Sequence, residues 1–298
     1  MSTKENLSDS RSAFTLIEIM VAAVITIIMI GLVIQITSGV LNVWNRSVGK
    51  LSANAEARIA MELLTSDLET ALLVNNGQQW LRVESETDVG SPDPVGQTVA
   101  LKLFAPAQDR PDQPGNICAI AYRLAYDQAY TNASTDTFVL YRDLEGPVQT
   151  FETLLGPATD EPQLELTSGF WARNSTVNPS NFLAGNIVDF KVYIYGTDDS
   201  TGDEIVLNAS GSVDGFARND EDFDGEIDLD YIYGGTDSND ELPTSAEIFL
   251  TVVSDEGLDI LNLLNEGVSG TGYDDTEDVI REHGEVFRRR VFFQGRPL

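Results

Sequence analysis

The chain has 298 residues, long enough for a sizeable core, with 48 acidic against 18 basic side chains and a formal net charge of -30. That balance argues against nucleic-acid binding, because phosphate neutralisation needs a basic face. One cysteine, Cys118, and one histidine, His283, exclude an internal disulfide and leave little for a zinc site. With no Ser/His/Asp or Cys/His constellation apparent, an enzyme is not expected either.

A polar leader, MSTKENLSDSRSA, opens the chain. From Phe14 to Ile36 the sequence is apolar with a single charge, Glu18. At about 1.5 Å per residue this run is long enough to cross a hydrocarbon core of roughly 30 Å as a helix. It is longer than the core of a secretory signal peptide, and its small residue, Ala13, precedes it rather than follows it. A plain reading is therefore an uncleaved signal anchor, with Lys4 and Arg11 keeping the leader cytoplasmic and the large domain outside. Glu18 argues for more, since a carboxylate inside a spanning helix costs a few kcal/mol and marks a functional site with a partner to be named. A cut between Ala13 and Phe14 would create that partner, an α-amino group four residues upstream, within the same helix or on a neighbouring one.

Arg11-Ser12-Ala13-Phe14-Thr15-Leu16-Ile17-Glu18 with its apolar run resembles the N-terminal signal of type IV prepilins and type II secretion pseudopilins. The resemblance covers roughly the first 40 residues and departs from the family at Ala13, where Gly is usual. It implies cleavage on the cytoplasmic side between Ala13 and Phe14 by a prepilin peptidase, N-methylation of Phe14, and assembly into a helical filament directed by Glu18.

Beyond the span the helical period continues through Leu41, Trp44, Val48, Leu51, Ala55, Ile59 and Leu63. Trp44 falls where an interfacial aromatic would anchor a helix. Glu56, Arg58, Glu62, Asp67 and Glu69 mark a solvated side, and the apolar stripe is expected to pack into the core. Asn75-Asn76-Gly77 supplies a stop, so one helix is predicted from Phe14 to about Val74, roughly 90 Å if continuous, with Gly31 and Gly39 as potential soft points.

Strand signals follow at 80–83, 99–104, 117–124 and 138–142, with a loop over 105–116. Cys118 falls in one of these strands as a small buried hydrophobe. A second group lies at 187–195, 246–253 and 287–293, with a short helix or turn over 254–264. Arg288 and Arg290 share a face of the last strand, where acidic neighbours are expected. The fold class is therefore α+β: a long N-terminal transmembrane-plus-amphipathic helix packed on antiparallel β-sheet from two strand groups, pilin-like if the resemblance holds. The expected divisions are a cytoplasmic leader (1–13), a transmembrane helix (14–40), its amphipathic continuation (41–76) and a β-rich globular domain (77–298).

Within that domain the stretch 198–241 is densely acidic. Asp220, Asp222, Asp224, Glu226 and Asp228 alternate around Phe223 and Gly225, the spacing by which a curled loop converges hard oxygens on Ca²⁺. The bidentate Glu of an EF-hand is missing, Tyr231 standing there, and Tyr231-Ile232-Tyr233 reads as a strand. Asp228, Asp230, Asp237 or Asp240 would have to complete a calcium site. The alternative is a solvated acidic loop.

Size, the absence of a disulfide loop, two strand groups and the lead-in 242–248 to a late strand look most like a J-type minor pseudopilin. That likeness implies a single-pass bacterial inner-membrane protein with its C-terminal domain in the periplasm. Its partners would be prepilin peptidase, other minor pseudopilins bound through parallel N-terminal helices, and the inner-membrane assembly platform. The alternatives are a minor type IV pilin for adhesion, motility or DNA uptake, or an uncleaved anchored extracellular binding module. On the bacterial reading that this likeness implies, Asn-Xaa-Ser/Thr matches at Asn132, Asn174 and Asn208 carry no weight.

Overall fold

The computed structural model describes residues 15–74, 78–86, 98–128, 136–155, 177–198, 200–208, 229–234, 242–268, 270–273 and 275–294. The chain divides into two compact units, Met1–Val48 and Gly49–Leu298.

Helix α1 (Leu16–Glu69) is unbroken through Gly31 and Gly39. It stops about five residues earlier than the periodicity predicts. Ala71 N reaches back only to Leu68 O (3.2 Å), and Leu72 N leaves the helix to donate to Phe104 O (2.8 Å). A tertiary acceptor thus replaces the next intrahelical bond and diverts the chain. Ala71 and Leu73 remain buried as irregular backbone, and Asn75-Asn76-Gly77 lies outside the described residues.

The first strand group forms an antiparallel meander of β1 (Gln79–Glu86), β2 (Thr98–Ala105), β3 (Cys118–Gln128) and β4 (Asp136–Glu145). Every residue of β2 is buried, including Lys102, whose ammonium meets Glu84 at 2.5 Å. Burial pushes the Glu84 carboxyl up, but Lys102 and then Arg82 outweigh it and hold it below its usual range. Cys118 is fully buried in β3, as expected. A helical turn over Pro147–Leu154, unmarked by periodicity, follows β4.

The two strand groups do not map simply onto two sheets. Strand β5 (Phe182–Gly185) joins the first sheet beside β4, and β8 (Tyr231–Gly234) returns to its far edge beside β1, giving the order β5-β4-β3-β2-β1-β8. Leu229 N donates to Ser85 Oγ (2.8 Å), and Ser85 N donates to Asp230 (2.6 Å). The second sheet holds β6 (Ile187–Thr197), β7 (Glu204–Val206), β9 (Ser245–Val253) and β10 (Gly284–Phe292) in the order β10-β9-β6-β7. Asn208 joins β6 to the approach of β8: its buried amide bonds Ile194 N, Val192 O and Leu229 O at 2.7–3.0 Å.

Two helices pack beside β9 and β10. In α2 (Asp255–Asn265) the Ser254 hydroxyl caps the first turn, as the predicted short helix requires. The α3 helix (Thr276–His283), capped by Asp275, has no counterpart in the sequence reading. Gly257 allows their close approach, since a Cβ there would lie 2.6 Å from the His283 Cβ. His283 is buried and bonds the Tyr273 hydroxyl at 2.7 Å. One continuous core draws on the second half of α1, both sheets, α2 and α3. The expected α+β architecture, a long apolar N-terminal helix with antiparallel sheets, is what the chain adopts.

Candidate assembly site

In the first unit the candidate site is the start of α1. Thr15 N donates to Glu18 Oε2 (2.9 Å), the Thr15 hydroxyl donates to the same oxygen (3.0 Å), and Glu18 N donates back to Thr15 Oγ1 (3.4 Å). This reciprocal arrangement is a capping box, in which a Thr and the Glu three residues on satisfy orphan amide groups of the first turn. The sequence carried that signal in Thr15-Leu16-Ile17-Glu18, and Thr15 is the residue the sequence reading missed.

Leu16–Leu41 is long and apolar enough to cross a membrane, and none of it is buried. Its hydroxyls stay inside the helix, with Thr26 donating to Ala22 O (2.8 Å) and Ser47, beyond the span, to Val43 O (2.8 Å). The span thus offers lipid, or another helix, an almost wholly apolar surface with one carboxylate near its start. Trp44 is exposed as an interfacial anchor would be. Ala13 and Phe14, the residues of the expected cleavage, lie outside the described residues.

In the second unit the helix presents a different face to the core than its large residues predict. Leu51 is 70% exposed and Ile59 56%, with Ala55 exposed between them. The buried face is instead Ala53, Ala57, Ala60, Met61, Leu64 and Leu68. Small side chains let the helix approach the sheet closely, so the alanines turn inward and the bulky stripe outward. Asp67 is also misplaced on the solvated side: it is 4% exposed. Its spacing of three from Leu64 and seven from Ala60 puts it on the inner face, which was the available signal.

Asp67 organises a buried polar cluster. Its Oδ2 accepts from the Tyr122 hydroxyl (2.5 Å) and from Arg142 Nε (2.9 Å), and the two Nη atoms of Arg142 fork onto Asp109 at 2.7 and 3.1 Å. Burial, then the Asp67 charge, pushes the Tyr122 phenol well up; the Arg142 guanidinium is pushed up too, by Tyr122 and Asp67, against burial acting the other way. The cluster fixes the end of α1 on β3 and β4. Glu56 adds a second tie by accepting from Gly185 N (3.0 Å).

The arginines of β10 meet acidic neighbours as expected, Arg288 bonding Glu247 (2.6 Å) and Arg290 pairing with Glu204. Asp220, Asp222, Asp224, Glu226 and Asp228 lie outside the described residues, as do Asp237 and Asp240. Asp230 is engaged with Ser85. Asp198 accepts from Ser200 and Thr201, bonds that draw its carboxyl down. Among the described residues no cluster of three or more His, Cys, Asp or Glu is placed to hold a metal.

No protein-family model matches the chain, and no curated protein is significantly similar to it. Among solved structures, it is similar to a type IV-like pilin from Thermus thermophilus, at 9% identity and a TM-score of 0.32, over 80% of this chain and 95% of that one.

Proposed function

We propose that the chain is a structural subunit that assembles through its N-terminal helix, a member of the pilin and pseudopilin class. Within that class we read it as a minor pseudopilin, placed near the tip of a type II secretion pseudopilus and acting in protein secretion. The carrying observation is a bare apolar helix whose lone carboxylate, Glu18, is held one turn from its start by Thr15. In the free subunit Thr15 keeps that carboxylate hydrogen-bonded. In a filament, the α-amino group of a neighbour's Phe14 would take the same oxygens with a full opposite charge, a stronger partner in low dielectric. The exposed stripe of Leu51, Ala55 and Ile59 supports the reading by supplying apolar surface beyond the span.

On this reading the subunit waits in the bacterial inner membrane with its leader in the cytoplasm. Prepilin peptidase removes residues 1–13 and methylates Phe14, and the assembly platform passes the helix to other minor pseudopilins. Intact-mass and N-terminal peptide mass spectrometry of the protein from its own membranes tests this. An N-methylated Phe14 is expected, and an N-terminus at Met1 sinks the reading.

A further inference from the structure

Strand β10 forms one edge of the second sheet, and its residues pair with β9 along its whole length. Bonds at its two ends fix which backbone groups face inward: Ser254 N donates to His283 O (3.1 Å) and Phe293 N to Thr244 O (3.1 Å). Antiparallel pairing alternates strictly between these points, so the odd-numbered residues of β10 bond β9. The N–H and C=O groups of Val286, Arg288, Arg290 and Phe292 therefore point away from the sheet. Gln294 N, next in that outward series, donates to Glu69 O (3.2 Å) and closes one end. Between Val286 and Phe292 no backbone partner is present among the described residues.

Proteins commonly blunt such an edge by swinging charged side chains across it. Here Arg288 and Arg290 lie inward over the sheet. Arg288 donates to Glu247 (2.6 Å) with its guanidinium 5.2 Å from the Phe249 ring centre. Arg290 bonds Ser245 (2.8 Å) and stacks 4.4 Å from the ring centre of Tyr195. Both leave the outward backbone uncovered. Arg289 is exposed and has no ion pair among the described residues, and Val286 (58%) and Phe292 (65%) flank the arginines with open apolar surface. With Arg288 paired to Glu247 and Arg290 to Glu204, Arg289 is the one of the three arginines whose charge is left unpaired among the described residues, on a chain of net charge -30.

We propose that the free edge of β10 takes an extended acidic strand from a partner protein by strand addition. Main-chain bonds to the outward groups at Val286, Arg288, Arg290 and Phe292 would supply affinity, and carboxylates on the face of the added strand that meets Arg289 would supply selectivity. A second copy of β10 is a poor occupant, because antiparallel pairing centred on Arg289 sets Arg288 opposite Arg290, and like charges directly opposite destabilise a pair. This proposal stands apart from the assembly helix and its processing.

The test uses the full-length chain in lipid nanodiscs and a fluorescein-labelled decapeptide of alternating valine and glutamate, read by anisotropy. The acidic probe should bind, more weakly as salt rises, and its counterpart with lysine for glutamate at least ten-fold more weakly. N-methylation of alternate probe residues should weaken binding at least ten-fold. So should Val286→Pro, which removes an outward N–H without touching the β9 ladder; Arg289→Glu should weaken it at least three-fold. If circular dichroism shows Val286→Pro misfolded, the N-methylated probe carries that arm. Equal binding of the acidic and lysine probes, or undiminished binding of the N-methylated probe, overturns the proposal. So does reversible self-association of the chain that Arg289→Glu changes, which would assign the edge to a second copy.

Discussion

Removing the Asp67 carboxylate would leave the Tyr122 hydroxyl without its acceptor in a buried site and Arg142 Nε with the Tyr122 oxygen alone, stripped of its counter-charge. Breaking a buried pair from one side typically costs 3–5 kcal/mol. Asp109 still holds the Arg142 fork, so Asp67→Ala should cost about 3 kcal/mol in urea unfolding followed by tryptophan fluorescence. Asp109 is half exposed, and Asp109→Ala should cost about 1 kcal/mol or less. Asp189 makes the opposite case. Burial raises its carboxyl above the usual 3.8, Lys191 only partly offsets this, and its Oδ1 has no hydrogen-bond partner among the described residues. A raised folded value means the ionised form destabilises at neutral pH, and protonation relieves the cost as pH falls through that value. Asp189→Asn should therefore raise the melting temperature at pH 7, with the gain shrinking to nothing below pH 3.8. An equal gain at both pH values would remove the electrostatic explanation.

At the scale of the element, α1 carries two apolar stripes at helical spacing, and periodicity alone does not say which one faces the sheet. Volume decides it, since Ala53, Ala57 and Ala60 permit a closer approach than Leu51 and Ile59. Leu64→Ala, on the buried face, should cost about 2–5 kcal/mol, and Leu51→Ala or Ile59→Ala less than about 0.5 kcal/mol in the same unfolding assay. A large loss at Leu51 would return that stripe to the core. The span and most strands were legible because each carries a strong local signal: 187–195 alternates cleanly, 99–104 is a run of β-formers bounded by turn residues, and both are strands. The α3 helix was hidden because it is short and polar, and the Asp275 cap is its main local mark. The membership of β8 in the first sheet was hidden as well, because its partner β1 lies about 150 residues away and only tertiary pairing reveals it.

For the whole molecule, the charge of -30 concentrates its least explained part in 198–241. The calcium reading of Asp220, Asp222, Asp224, Glu226 and Asp228 remains a proposal resting on ligand spacing, and binding to the native state alone would raise stability by mass action. Calcium should raise the melting temperature of the wild type over that in chelator, and Asp222→Ala with Asp224→Ala should abolish the difference; equal melting of wild type in both conditions would dismiss the site. The pairing of β10 has a temporal side. The bonds that tie the second half of α1 to this strand, Asn54 to Glu285 and Gln294 to Glu69, join residues far apart in sequence, 231 positions in the first case. Closing so long a stretch of chain is slow, because its entropy is lost before the contacts reward it. The domain therefore completes its fold only after Gln294 has been made, with the earlier-made helix waiting beside a core that β10 has yet to seal.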